Sequence, residues 1–342
     1  MTRSRLALLA FGVLLASSLV ASGCGKKTET STAGSTGSTS TTEPAAKPSA
    51  VRIGTLATED SLPLWVAENM GYFATEGLSD VTITLFQSAQ ERDAAFASGA
   101  IDAYMGDIIA AANLEAAGSK NTIKTIMLGA DQSQGRFGVV TSPKNDDVKA
   151  GPNEGMKELA GEKVGTSSAT IQEYVLDGLM AEQGVPAAQV EKEEVKKVPV
   201  RFELLMANKL KAAALPEPFL TLAEQGGAKI VGDDTKAQKN LSQTVLVFSD
   251  TYLATPGGAA AADAVLKAWD VAVGDINKAP EAYRKTLVEK ARLPKPLETT
   301  YKVNTYPTAQ VPAQADVDAV LSWMKAKGYL KGDVTYADLV SQ

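Results

Sequence analysis

The chain has 342 residues, with 40 acidic against 34 basic side chains, a formal net charge of −6, no histidine and a single cysteine, Cys24. That composition excludes His- and Cys-based zinc sites, Ser-His-Asp triads, Cys-His pairs and disulfides. The acidic balance argues against a nucleic-acid partner, while paired carboxylates of the glycosidase kind stay open.

Arg3 and Arg5 precede an apolar run from Leu6 to Val20 and the small residues Ala21-Ser22-Gly23. A basic start, a short apolar core and small residues at a cut site describe a secretory signal, and the run is too short for a membrane span. The cysteine directly behind the small residues adds a lipobox reading, with cleavage before Cys24 and a diacylglyceryl group on its thiol. Residues 1–23 are therefore read as a lipoprotein signal peptide. The protein is placed on the extracytoplasmic face of the cell membrane, tied to the bilayer through Cys24. Residues 24–50 form a Ser/Thr-rich tether, and from residue 25 to 50 there is no Val, Ile, Leu, Met, Phe, Tyr or Trp. Such a segment cannot offset its ordering entropy and reads as a disordered spacer of about 25–30 Å. Removing the leader moves the net charge from −6 to −8.

Val51 to Gln342 supplies 292 residues, enough for one large core or two lobes. Short β-rich runs alternate with helical patterns, which predicts an α/β fold. Val51–Thr55 reads as a strand, Leu62–Met70 as a helix stopped by Gly71, and Val81–Phe86 as a strand. A helix capped by Ser88 then runs to Ser98-Gly99, followed by the strand Ile101–Met105 and the apolar helix Ile108–Ala117. Arg136–Thr141 and Thr244–Phe248 are lone strand-like runs that fit two hinge strands. Between them the pattern restarts: strand Lys163–Thr166, helix Thr170–Gln183, strand Val195–Val200, helix Arg201–Ala207 and strand Leu210–Leu215. The remaining helices are Ala259–Asn277, Pro280–Ala291 and Asp316–Lys327.

The two passes share a design. Arg92 to Asp107 and Arg201 to Glu217 each hold a short helix, a residue tolerant of left-handed backbone (Gly99 or Asn208), a small-residue strand and a carboxylate just past its end. Two similar lobes with strand ends facing one crevice would place a ligand there. Residues 51–138 and 250–342 are assigned to the first lobe and 139–249 to the second.

Several segments resemble a known group. Leu62-Pro63-Leu64-Trp65-Val66-Ala67-Glu68 with Gly71-Tyr72-Phe73 and Glu76-Gly77-Leu78, then Ala97-Ser98-Gly99-Ala100-Ile101-Asp102-Ala103, then Ala214-Leu215-Pro216-Glu217-Pro218-Phe219 carry the likeness. The group is the solute-binding proteins of nitrate, sulfonate, taurine and thiamine-pyrimidine-precursor ABC importers. The resemblance implies a type II periplasmic-binding fold, two lobes on two hinge strands with the ligand cleft between them. It also implies a small-molecule solute, an ABC permease as partner, a monomer, no cofactor and no catalysis. The group's enzymatic branch relies on histidine, which this chain lacks. An extracytoplasmic ligand sensor, or a non-transport enzyme on the same fold, is the alternative.

Cleft candidates follow from the strand ends. The loop after the first strand offers Thr55, Thr58, Glu59 and Asp60, with Asp60 also a plain helix cap. Gln87 and Ser88 stand at a strand-to-helix junction, where free N–H groups favour anions or carbonyl oxygens. Asp107 follows the third strand directly, and Ser167, Ser168 and Thr170 form the matching hydroxyl-rich turn of the second pass. Glu217 is held rigidly between two prolines and reads as a ligand contact or as the cap of the helix through Leu220–Glu224, while Phe219 reads as core. Arg92 and Arg201 are placed on helix surfaces. Glu59, Asp60, Asp107 and Glu217 then outnumber the basic groups, which favours a neutral or amine-bearing solute over a bare anion.

Overall fold

The computed structural model describes residues 50–145, 147, 148 and 151–340; the leader, Cys24 and the tether up to residue 49 lie outside them. In chain order the first strands and helices are β1 (Val51–Leu56), α1 (Leu62–Asn69), α2 (Tyr72–Thr75), β2 (Val81–Phe86), α3 (Ala89–Ala97), β3 (Ala103–Asp107), α4 (Ile108–Ala116) and β4 (Asn121–Leu128). Next come β5 (Phe137–Thr141), β6 (Lys163–Thr166), α5 (Ile171–Glu182), β7 (Glu191–Glu194), α6 (Val198–Met206), β8 (Ala212–Pro216), α7 (Phe219–Gln225) and β9 (Lys229–Asp233). The chain closes with β10 (Thr244–Ser249), α8 (Asp250–Leu253), α9 (Gly258–Lys278), α10 (Arg284–Lys290), α11 (Leu297–Thr300), α12 (Gln314–Ala326) and α13 (Tyr336–Leu339).

Two five-stranded sheets carry the same plan. The first runs β2-β1-β3-β10-β4 and the second β7-β6-β8-β5-β9. In each, the first three strands are parallel and the fourth is antiparallel to its neighbours. The two runs expected as hinge strands are those fourth strands. Each receives the chain straight after it crosses between sheets, through residues 129–136 before β5 and 234–243 before β10. The second crossing therefore falls before Thr244–Ser249, and these residues belong to the first sheet. The crossings lie side by side, with Asn240 Nδ2 donating to the Gly129 carbonyl at 2.6 Å and Gln132 Nε2 to that of Asp234 at 3.1 Å.

Side-chain alternation along the strands sorts the cores. Leu246 and Phe248 of β10 face α1 and the long amphipathic α9, while Val245 and Val247 face α4 and α12. In the second sheet Val139 and Ala214 face α5, whereas Val140 and Ala213 face α6 and α7. Helix starts follow local chemistry: Ser88 accepts from the Glu91 N–H at 3.2 Å and Asp107 from the Ala110 N–H at 2.7 Å. Gly99 (φ 72°) and Asn208 (φ 57°) take the left-handed backbone that ends α3 and α6.

Three predicted strands are displaced: that expected at Ile101–Met105 is β3, two residues later and ending on Asp107, and that expected at Leu210–Leu215 is β8, Ala212–Pro216. The strand expected at Val195–Val200 is β7, four residues earlier, and Val198 already opens α6 with Pro199 near its start. β7 reads Glu-Lys-Glu-Glu on a sheet edge, so it carries no apolar signal, while the early proline suits a helix start.

The duplicated unit also needs a bare backbone at the same place. A Cβ on Gly54 of β1 would meet Ile101 Cδ1 at 2.5 Å and Arg92 Cγ at 3.3 Å. On Gly165 of β6 it would meet Leu210 Cδ1 at 2.6 Å and Arg201 Cγ at 3.4 Å. Gly54→Val is therefore expected to cost about 1–3 kcal/mol by overpacking. Urea unfolding of the variant reads this, and a wild-type midpoint would contradict the packing described.

Candidate functional site

The carboxyl ends of β1, β3, β6 and β8 meet between the two sheets and enclose a cavity of about 30 Å³. Thr58, Asp60, Arg92 and Asp107 line it from the first half, and Ser167, Thr170, Lys196 and Pro216 from the second. That space holds no more than a few water molecules, and hydrogen bonds join the two halves across it. Wider crevices flank it: about 450 Å³ at a mouth lined by Gln90, Asn113, Ser168 and Glu194, and about 370 Å³ beside Ile108, Tyr174, Gln243 and Asp316. Size alone would favour the crevices, but of these three spaces only the small cavity brings together the ends of β1, β3 and β8, at Leu56, Asp107 and Pro216, and such convergence marks the site in open α/β sheets.

Asp107 is the polar contact at its centre. Oδ1 accepts from the Ala110 N–H and caps α4, while Oδ2 accepts from the Ile171 N–H, the first residue of α5 in the other half, at 3.2 Å. One carboxylate thus caps two helices that face each other across the cleft, where both N-terminal dipoles favour its charge. Further bonds cross the same divide: Gln90 Nε2 to Ser167 Oγ at 2.9 Å, Lys197 to Glu91 at 3.0 Å, and the Glu59 N–H to the Glu217 carbonyl at 3.3 Å.

The candidates separate into groups. Thr58, Asp60, Asp107, Ser167 and Thr170 line the cavity, and Ser168 stands at the mouth. Gln87 lines a small recess beside Thr58 and Pro199, Ser88 is occupied in capping α3, and Thr55 is fully buried with its hydroxyl unpartnered. Glu59 and Glu217 do not line the cavity. Glu59 accepts from the Tyr301 hydroxyl at 2.7 Å, the Asn304 N–H at 2.8 Å and Asn304 Nδ2 at 3.1 Å, which ties the first loop to the segment after α11. Glu217 takes Arg136 at 3.0 Å and Thr221 on α7. Phe219 is buried against Phe202, as a core residue.

Arg92 and Arg201 are not on helix surfaces. Both are fully buried between helix and sheet, at matching positions of the repeat and against Gly54 and Gly165. Arg92 bonds the Met105 carbonyl at 2.8 Å and Asp93 at 2.6 Å, and lies over the Tyr104 ring. Arg201 bonds the Val195 carbonyl at 2.6 Å, but its Nε and Nη2 have no partner, and burial pulls its pKa down to about 9. The repeat of Arg in one helix and Gly in the adjoining strand was the signal that could have found them. With Arg92 and Lys196 lining the cavity and Glu59 and Glu217 outside it, the acidic excess expected from sequence disappears.

Burial shapes the protonation of these carboxyls. It raises Asp60 against the pull of Thr58 and Arg92, and raises Asp107 against Arg92 and its two backbone donors. Burial, then the nearby Glu217 charge, push Glu59 from 4.5 up to about 8. The folded chain then holds a proton that the unfolded chain releases. This contribution to stability is full below about pH 4.5 and falls away as pH rises towards about 8. Glu59→Gln, neutral throughout, is expected to flatten that decline, read as unfolding midpoints at about pH 5 and about pH 8. A variant keeping the whole wild-type slope would contradict it. Among the described residues no three carboxylates converge to hold a metal ion.

Comparison with known proteins fits this geometry. The chain belongs to the NMT1-like family, whose profile matches residues 44–288. No match is found among curated proteins. Among solved structures it is similar to the alkanesulfonate-binding protein SsuA of Xanthomonas axonopodis pv. citri, bound to MOPS, at 18% identity and a TM-score of 0.71, covering 86% of this chain and 99% of that one. The periplasmic nitrate-binding protein NrtA of Synechocystis is 17% identical with a TM-score of 0.72, over 85% of this chain and 84% of its own. The periplasmic aliphatic sulphonate-binding protein SsuA of Escherichia coli is 17% identical with a TM-score of 0.68, over 86% and 92%. These likenesses establish the periplasmic-binding fold.

Proposed function

We propose that the protein is the solute-binding component of an ABC importer. It is lipid-anchored through Cys24 on the extracytoplasmic face, works as a monomer, captures a small organic solute and delivers it to a membrane permease without altering it. The observation that carries this reading is the cavity at the strand ends of two like-patterned sheets, closed by Asp107 reaching the N-terminus of α5. The 30 Å³ enclosed there cannot admit an organic molecule, so the halves part about the two adjacent crossings and close again over the solute. Closure removes water from the polar contacts and strengthens them. The solved neighbours are named for binding sulfonates and nitrate. Here Asp60 and Asp107 balance Arg92 and Lys196, which suits a solute with both hydrogen-bond donors and acceptors. No helix among the described residues is long and apolar enough to cross a membrane.

Native mass spectrometry of the purified chain is expected to show one small molecule per protein, released unchanged. Re-adding it at about 100 times its Kd should raise stability by about 2.7 kcal/mol. Asp107→Asn keeps the shape but loses one acceptor, and is expected to weaken binding about tenfold, or about 1.4 kcal/mol. Turnover of the captured molecule would favour an enzyme, and unchanged affinity in Asp107→Asn would remove this cavity as the site.

A further inference from the structure

The second half carries a charge imbalance that the first half corrects. On α5, Glu173 and Asp177 stand one turn apart and are both buried. Lys192 of β7 pairs with both, at 2.7 Å from Glu173, and the Ala169 N–H donates to Glu173 at 2.8 Å. Two carboxylates and one lysine leave a negative charge over. Lys327, directly after α12, supplies the cation, 3.0 Å from Glu173 and 3.1 Å from Asp177. Its neighbours add to the contact: Trp323 Nε1 donates to Asp177 at 3.0 Å and the Tyr329 hydroxyl to Glu173 at 3.1 Å. The Trp323 ring also meets Tyr174 of α5 edge-on, at 5.2 Å between centroids.

α12 packs on the first sheet and α5 on the second, so this cluster joins the halves away from the cavity. The same α5 presents its first N–H to Asp107. A helix seated at its flank by Lys327 is therefore the helix whose N-terminus closes the site. Against burial, the bonds from Lys192, Ala169 and Lys327 hold Glu173 below its ordinary pKa, so it stays charged and keeps its demand for a cation. Removing one partner from so buried a cluster matters more than removing one from an exposed pair such as Lys285–Glu289.

We propose that Lys327, with Trp323 and Tyr329, is a positioning residue that sets the resting angle between the halves by seating α5, and thereby how readily the cavity closes on a solute. The proposal rests on the binding reading for its purpose, but the seat is measurable without solute.

Spin labels at Ala94→Cys on α3 and Val200→Cys on α6, both exposed positions, report the distance between halves in the full chain carrying Cys24→Ser. In chains stripped of any co-purifying solute, Lys327→Met is expected to shift the pulsed-EPR distribution to longer distances, raising the open-to-closed ratio about fivefold or more. Lys327→Arg should keep the wild-type distribution, as should the exposed control Lys285→Met. Wild-type distances in Lys327→Met, even with a lowered thermal midpoint, would make the cluster plain structural support and overturn the proposal. A shift in Lys327→Met from a chain that never carries a solute would uphold the seat and remove the binding reading instead.

Discussion

A carboxylate that caps two helices at once, one from each half of the molecule, is the contact on which the site depends. Asp107 sits at the end of β3, where the parallel strands of the first sheet point their carboxyl ends outward. Its own helix would hold it there in any case through the Ala110 N–H. The second bond, to Ile171, exists only when the other half is in place. Burial works against its charge, while Arg92 and the two backbone donors support it. Two of the groups that stabilise Asp107, Arg92 and Ile171, also line the cavity.

The duplicated plan explains how a chain without histidine, and with no cysteine past residue 24, still builds a defined site. Each sheet repeats the parallel strand, helix, strand unit, and each places a buried arginine against a strand glycine. The two copies have diverged in charge. Arg92 has Asp93 beside it, whereas the matching place after Arg201 is taken by Phe202, and two of the guanidinium nitrogens of Arg201 go unpartnered. The half nearer Arg92 therefore presents a compensated polar floor, and the other half brings hydroxyls and Lys196 to it.

Much of the architecture was legible because its signals are local. Strand-Gly-Thr endings at Ile53-Gly54-Thr55 and Val164-Gly165-Thr166 and the stops at Gly99 and Asn208 each act within a few residues. Asp107 was legible for the same reason, as a carboxylate directly past a strand. β7 was misplaced because an edge strand of Glu-Lys-Glu-Glu has no apolar face to read. The roles of Glu59 and Glu217 were hidden for another reason. Tyr301, Asn304 and Arg136 come from distant parts of the chain, although Glu217 also holds Thr221, the local helix cap that its position before α7 allowed. Charge counting along the sequence could not see that these carboxylates are already occupied, nor that Arg92 turns inward.

The proposed capture of a solute requires two sheets that separate to admit a guest and come together through Asp107 and α5. Small-angle X-ray scattering of the chain stripped of its co-purifying solute, then reloaded with it, tests this most directly. The radius of gyration should fall on reloading, towards the value calculated from the closed arrangement. An identical scattering profile in both states, whether closed or open, would rule out closure on the solute.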